Sequence, residues 1–238
     1  MSEILDDINM GYSNDRVEIW DNSKRAKNVI IVFCVLIGLT IVGLFTGYNE
    51  LQILKKVQIG EFVSEQEAEM SDLLQAVIGF AQMGIYIVSV ILFLNWFRRA
   101  YGNLHRLGIS DLKYSETMTI WAWFIPIISL FRPVQIMNEI WNETQKKIKE
   151  LDASYTFKDL GLPVTLWWIL FIISTFIGRY VMKTAFKDET IEQLIEGTQA
   201  FLISDIMEIP EALLVVLIVF KISKMESKLA KELRSESV

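Results

Sequence analysis

The sequence predicts an all-α membrane protein with four transmembrane helices, one short re-entrant or half-membrane helix and an interfacial amphipathic helix. Three observations carry this. Charges are segregated: 22 residues between Lys27 and Glu50, 25 between Asp72 and Arg98, and 19 between Asp159 and Arg179 bear no formal charge. A hydrocarbon core of about 30 Å needs roughly 20 apolar helical residues, and these runs meet that requirement. Finally, 52% of the 238 residues are hydrophobic and only 22% are charged, with a mean hydropathy of +0.35. A soluble helical protein would show amphipathic periodicity instead.

The elements follow in order. Residues 1–28 form a cytoplasmic segment. It carries Glu3, Asp6 and Asp7 and has no small-residue cleavage site after the first span, which marks an uncleaved anchor. Asn22 and Ser23 are turn formers, and Lys24, Arg25 and Lys27 precede the first span at about 29–47. The second span, about 73–97, is closed by Arg98 and Arg99. The apolar segment 117–131 has 15 residues, which as a helix cover about 22 Å, short of a bilayer core. Pro126 interrupts it. Arg132-Pro133 ends it, because the residue before proline is pushed out of the helical region. Pro133 suits the first turn of a new helix over 133–151. There Val134, Met137, Ile140, Trp141, Ile148 and Leu151 form an apolar stripe opposite Glu139, Glu143, Lys146, Lys147 and Lys149. This pair reads as a half-membrane dip followed by a helix along the interface.

The third strong span is about 162–182. The last must reach from about 201 to 221, because its apolar core, Ala212 to Phe220, is short. That puts Asp205, Glu208, Pro210 and Glu211 in its outer half. The membrane domain is thus 29–222. The tail 223–238 continues as a cytoplasmic helix with Ile222, Met225 and Leu229 at helical spacing.

Charge counting supports this threading. With four crossings, a dip and both termini in the cytoplasm, 18 basic residues lie inside and five outside. If 117–131 crossed fully, the numbers would be 11 and 12. The positive-inside rule selects the first arrangement. The net charge of −6 comes mainly from ends and loops and excludes nucleic acid as an expected partner.

The inventory argues against catalysis. A lone cysteine, Cys34, falls in the first apolar run, where it packs as a small hydrophobe. A lone histidine, His105, cannot build a His-rich zinc site. No phosphate-binding glycine loop, HExxH or GxSxG occurs. No enzyme activity, cofactor or metal is expected.

The centre of the chain carries a more specific pattern. Asn95-Trp96-Phe97-Arg98-Arg99-Ala100-Tyr101 with Asn103-Leu104 is followed by Trp123-Phe124-Ile125-Pro126-Ile127. Then come Leu130-Phe131-Arg132-Pro133, Gln135-Ile136-Met137 and Glu139-Ile140-Trp141, and later Trp167-Trp168. Over about residues 92–182 this resembles a bacterial multi-pass membrane family defined only as a domain of unknown function (DUF4328-type). The resemblance implies a bacterial cytoplasmic membrane location and no assigned chemistry.

Three constellations stand out. Asp205, Glu208 and Glu211, at i, i+3 and i+6, share one broad face of the last span, with Arg179 near the outer end of the preceding one. They read either as a cation or proton site, since intramembrane carboxylates face a cavity or partner, or, more plainly, as a structural ion pair with headgroup-level carboxylates. Gln75, Gln82 and Ser89 repeat every seven residues and form a polar stripe for helix packing or a pore lining. Gly43 and Gly47 make a GxxxG at the outer end of the first span. At the cytoplasmic end, Arg98, Arg99, His105, Arg106 and Arg132, with Tyr101 nearby, form a basic corner. It serves topology and anionic headgroups, or a pocket for an anionic ligand. Asn95 is placed to cap or brace the dip, and Trp96, Trp121, Trp123 and Trp141 read as interfacial anchors. The expected partners are the lipid bilayer and either a second copy or another membrane protein. The favoured function is non-enzymatic, through helix packing, oligomerisation or a partner. The alternative is an ion channel or small transporter using the acidic group and the polar stripe.

Overall fold

The computed structural model describes residues 19–158, 161–184 and 190–236. Among them are six α-helices and no strand. They are α1 (Ser23–Gln58), α2 (Glu65–Arg106), α3 (Met118–Phe124), α4 (Arg132–Leu151), α5 (Gly161–Thr184) and α6 (Ile191–Glu236), with a single 3-10 turn at Ile128–Leu130. The helices α1, α2 and α5 are long and apolar enough to cross a membrane. At 1.5 Å per residue, α1 is about 54 Å long, α2 about 63 Å and α6 about 69 Å, so each exceeds a bilayer core. Helix α6 has too many carboxylates to qualify by composition, yet it runs unbroken through Pro210.

Turn chemistry separates the first two helices. Lys55 and Lys56 close α1. Gly60 then adopts φ +78, a left-handed geometry that glycine accepts without a Cβ penalty. Ser64 caps α2 by accepting a hydrogen bond from the Glu67 N–H at 3.2 Å. At its other end α2 stops at Leu107, followed by Gly108 at φ +68.

Side-chain pairings fix the topology. Asn22 meets Glu226, Thr40 meets Glu208, and Gly43 and Gly47 meet Asp205 and Leu202. Rising numbers in α1 face falling numbers in α6, so the two are antiparallel. Gln82–Asp205 and Asn103–Glu226 are both separated by 123 residues, so α2 and α6 run parallel in one register. Helix α5 packs against α6, and its Trp167 ring also meets Phe93 of α2 at 6.1 Å.

The core is concentrated at one end of this bundle. Trp96, Phe97, Tyr101 and Leu104 of α2, Ile136, Met137, Ile140 and Ile148 of α4, and Ile218, Ile222 and Leu229 of α6 are fully buried together. Along the bundle, large apolar side chains point outward instead, among them Phe45 on α1, Phe80 on α2, Phe176 on α5 and Ile206 on α6. A chain in water would not leave such a continuous apolar belt uncovered.

Several expectations are corrected here. The stripe of α4 contacts protein, not open interface: Met137, Ile140, Trp141 and Ile148 pack into the core with α2 and α6. Trp96 and Trp141 are buried, and Trp123 packs edge-on against Phe93 and Phe171. Of these four tryptophans Trp121, 60% exposed, is the one free to act as an interfacial anchor. Asn95 donates to the Ile91 carbonyl of its own helix at 2.9 Å instead of bracing α3. Cys34 lies on the outer face of α1, not in the packed interior. The segment 117–131 breaks at Pro126 into the seven-residue α3, about 10 Å long, and the 3-10 turn; α4 follows with Pro133 in its first turn.

Candidate functional site

Small residues let α1 approach its neighbours closely. A Cβ on Gly43 would stand 2.7 Å from Gln82 Nε2 and 3.0 Å from Asp205 Oδ2; one on Gly47 would stand 3.1 Å from Leu202 Cδ2. The GxxxG is therefore occupied within the chain, by α2 and α6. Around these contacts lies a cavity of about 520 Å³ lined by Gly43, Gly47 and Glu50 of α1, Gln75, Gln82 and Tyr86 of α2, and Thr198, Asp205 and Glu208 of α6, among others.

Its polar groups are partly tied to one another. Thr40 Oγ1 donates to Glu208 Oε2 at 2.6 Å and also lies 2.9 Å from the Leu36 carbonyl. Gln82 Nε2 is 3.5 Å from both Asp205 oxygens. The Ser71 hydroxyl donates to Glu50. Gln75 Nε2 is buried and has no hydrogen-bond partner among the described residues. Such an arrangement of carboxylates, amides and a hydroxyl can exchange a proton or coordinate a small cation. Asp205 and Glu208 lie beside Gly43 and Thr40, within the uncharged run of α1 and not past its end.

The three acids do not all line the cavity. Asp205 and Glu208 face the cavity, while Glu211 is not among its lining residues. Arg179 does not join them. It is exposed, with its guanidinium 5.8 Å from the Phe176 ring, and among the described residues it forms no ion pair with Asp205, Glu208 or Glu211. Gln75 and Gln82 of the polar stripe line the cavity; Ser89 is buried lower down and donates to the Tyr86 carbonyl at 2.7 Å. No group of three or more metal-ligating side chains with ion-binding geometry occurs among the described residues.

The basic corner divides among separate partners. Arg98 Nε donates to Glu116 Oε1 at 2.9 Å. Arg99 and Arg106 stack on Trp20, at 4.3 and 3.4 Å from the ring centre. His105 packs edge-on against Tyr101, and Arg132 lies over Tyr114 at 4.3 Å. The Tyr101 hydroxyl donates to Glu139 at 2.6 Å and accepts from the Tyr114 N–H. Burial, reinforced by Glu139, pushes its ionisation above the usual tyrosine range.

A second polar cluster, not identified from sequence, closes this end of the bundle. Glu226 is buried. It accepts from Asn22 Nδ2 at 3.1 Å and from Asn103 Nδ2 at 3.0 Å. Asn103 also exchanges two 3.0 Å bonds with the Trp20 backbone. Burial pushes the Glu226 carboxyl up to about 7, against the opposing pull of its two asparagine donors. A signal existed: Glu226 is the one acid inside the apolar stripe of Ile222, Met225 and Leu229.

The fold and these clusters define an all-helical protein with three helices fit to cross a membrane and a carboxylate-lined cavity between its helices. Its relatives can be specified further. The model of the family described as "Domain of unknown function (DUF4328)" matches residues 60–224, and the chain belongs to that family. The match is wider than the central motifs. It takes in α2 through most of α6 but omits α1 and Glu226. Comparisons with curated proteins and with solved structures give no match.

Proposed function

We propose that this is a four-span, non-enzymatic protein of the bacterial cytoplasmic membrane, with both termini inside, acting through helix packing and contact with a second copy or another membrane protein. The observation that carries it is the outward apolar belt shared by α1, α2, α5 and α6, which needs lipid or a membrane partner to cover it. Helix α6 makes the fourth crossing alongside α1. Segment 117–131 enters the inner leaflet without crossing, and α4 lies beneath it, covered mainly by protein. The experiment is topology mapping with terminal tags and protease. Both tags are cut only from the cytoplasmic side, and an external C-terminus overturns the threading.

The cavity favours a second reading, a small transporter or channel for protons or small cations. In that reading Asp205 and Glu208 are the binding groups, with Gln75 and Gln82 as neutral walls. Flux through proteoliposomes separates the two. The packing reading expects no flux in the wild type. Selective loss of a measurable flux in Asp205→Asn, with normal assembly, decides for transport.

A further inference from the structure

We propose that a basic pocket beside the cytoplasmic end of α6 binds the phosphate of an anionic membrane lipid; the proposal rests on the threading above. Sequence supplies the first part. Lys221, Lys224 and Lys228, at i, i+3 and i+7, fall on one helix face. Structure supplies the second. Lys158, from the segment between α4 and α5, converges on the same concavity of about 160 Å³, which is backed by Trp141 and Tyr155.

The backbone of Lys158 is fixed at the rim of this concavity, with its side chain exposed. Its N–H donates to Gln145 Oε1 at 2.7 Å, and its carbonyl accepts from Trp141 Nε1 and Gln145 Nε2, both at 3.0 Å. Gln145 itself is fully buried. Of the four lysines only Lys228 is paired, to Asp152 at 2.7 Å. Among the described residues Lys158, Lys221 and Lys224 have no ion-pair partner. The nearest acid on α6, Glu226, is turned inward onto Asn22 and Asn103 and does not neutralise the pocket. Three lysines without an ion-pair partner among the described residues, one of them with its ammonium 4.4 Å over the Phe220 ring, surround a dent backed by aromatic rings and fit a phosphodiester.

Depth identifies the source of that phosphate. The antiparallel register brings this part of α6 level with Lys27, where the uncharged run of α1 begins, and Lys27 and Lys224 line one groove. Toward the membrane the surface turns apolar at once, with Phe220 and Leu217 exposed. Headgroup charge below and hydrocarbon above select a glycerophospholipid over a free anion. Basic residues that served only to orient the chain would not need to converge from two segments on one concavity.

The test uses the full chain in detergent, titrated with phosphatidylglycerol or phosphatidylcholine and read by native mass spectrometry. Wild type retains phosphatidylglycerol in preference. The triple variant K158Q/K221Q/K224Q loses that preference by about tenfold or more, given the contribution of each interfacial basic residue. K158R/K221R/K224R keeps it, which separates lost charge from misfolding. The control K146Q/K149Q/K231Q removes three cytoplasmic charges elsewhere and also keeps it. Equal loss in the control, or no preference in wild type, overturns the proposal. Displacement of the lipid by millimolar inorganic phosphate assigns the pocket to a free anion and overturns the lipid source. Alkaline carbonate extraction of the same membranes tests the threading on its own. A chain that stays integrated but shows no lipid preference refutes the pocket alone.

Discussion

Glu226 makes the stability of the bundle depend on pH, and Glu226→Gln isolates that dependence. The fold raises this carboxyl from its ordinary 4.5 to about 7, chiefly by burial. A raised acid is favoured in its neutral form. Its contribution is therefore fully present below pH 4.5 and is lost as the pH rises through 7, where the buried group must ionise. At about 1.4 kcal/mol per pH unit, the whole swing is about 3 kcal/mol, and about 2 kcal/mol of it falls between pH 5.5 and 8. Glutamine keeps the shape and an acceptor for Asn22 and Asn103 but cannot titrate. Thermal unfolding in detergent, followed by tryptophan fluorescence, is the assay. The wild-type midpoint falls over this pH range, while that of Glu226→Gln stays nearly level and lies above wild type at pH 8. A wild-type midpoint indifferent to pH, or an equal slope in the variant, would refute the assignment of that ionisation to Glu226.

Two other substitutions probe the packing. Gly43→Leu drives a side chain into Gln82 and Asp205 and costs about 1–3 kcal/mol, as overpacking does. Gly38→Leu, on the same helix with nothing within 4 Å of its Cβ, leaves the unfolding midpoint unchanged; equal effects would show that the α1–α6 contact is not close. Tyr101→Phe removes the donor to Glu139 and the acceptor for the Tyr114 N–H, at a cost of about 1–3 kcal/mol measured by the same unfolding assay. A silent Tyr101→Phe would mean that water replaces both bonds.

Much of the fold is legible in the sequence because its signals are local. Uncharged runs mark α1, α2 and α5, and Arg132-Pro133 marks the start of α4 within a residue. The stripe of α4 is read correctly as apolar, but periodicity cannot say what covers it, and the cover is protein. Trp96 and Trp123 mislead for the same reason. A tryptophan near the end of a span looks identical whether lipid or Phe93 lies beside it. Glu226 escapes because its partners, Asn22 and Asn103, stand 204 and 123 residues away. Gly43 is noticed, but the helices it admits are not. The acidic triplet is visible in the sequence, yet helical spacing alone cannot show that Asp205 and Glu208 line the cavity while Glu211 does not.

The two polar clusters also explain how α6 finds its place. Between these clusters α6 presents Ala212, Val215, Ile218 and Val219 to its neighbours, and apolar contacts of this kind tolerate sliding by a turn. Asp205 and Glu226 do not. They lie 21 residues apart, about 32 Å along the helix, and each must meet an amide of α2, Gln82 or Asn103, at the same offset. A slip of one turn would strand both carboxylates against apolar surface, where an unpaired polar group is costly. Asn22 and Thr40 impose the same register from α1. The buried polar groups thus give a long, weakly patterned helix a unique alignment, and they do so at the two ends of the segment that hydropathy alone identifies least well.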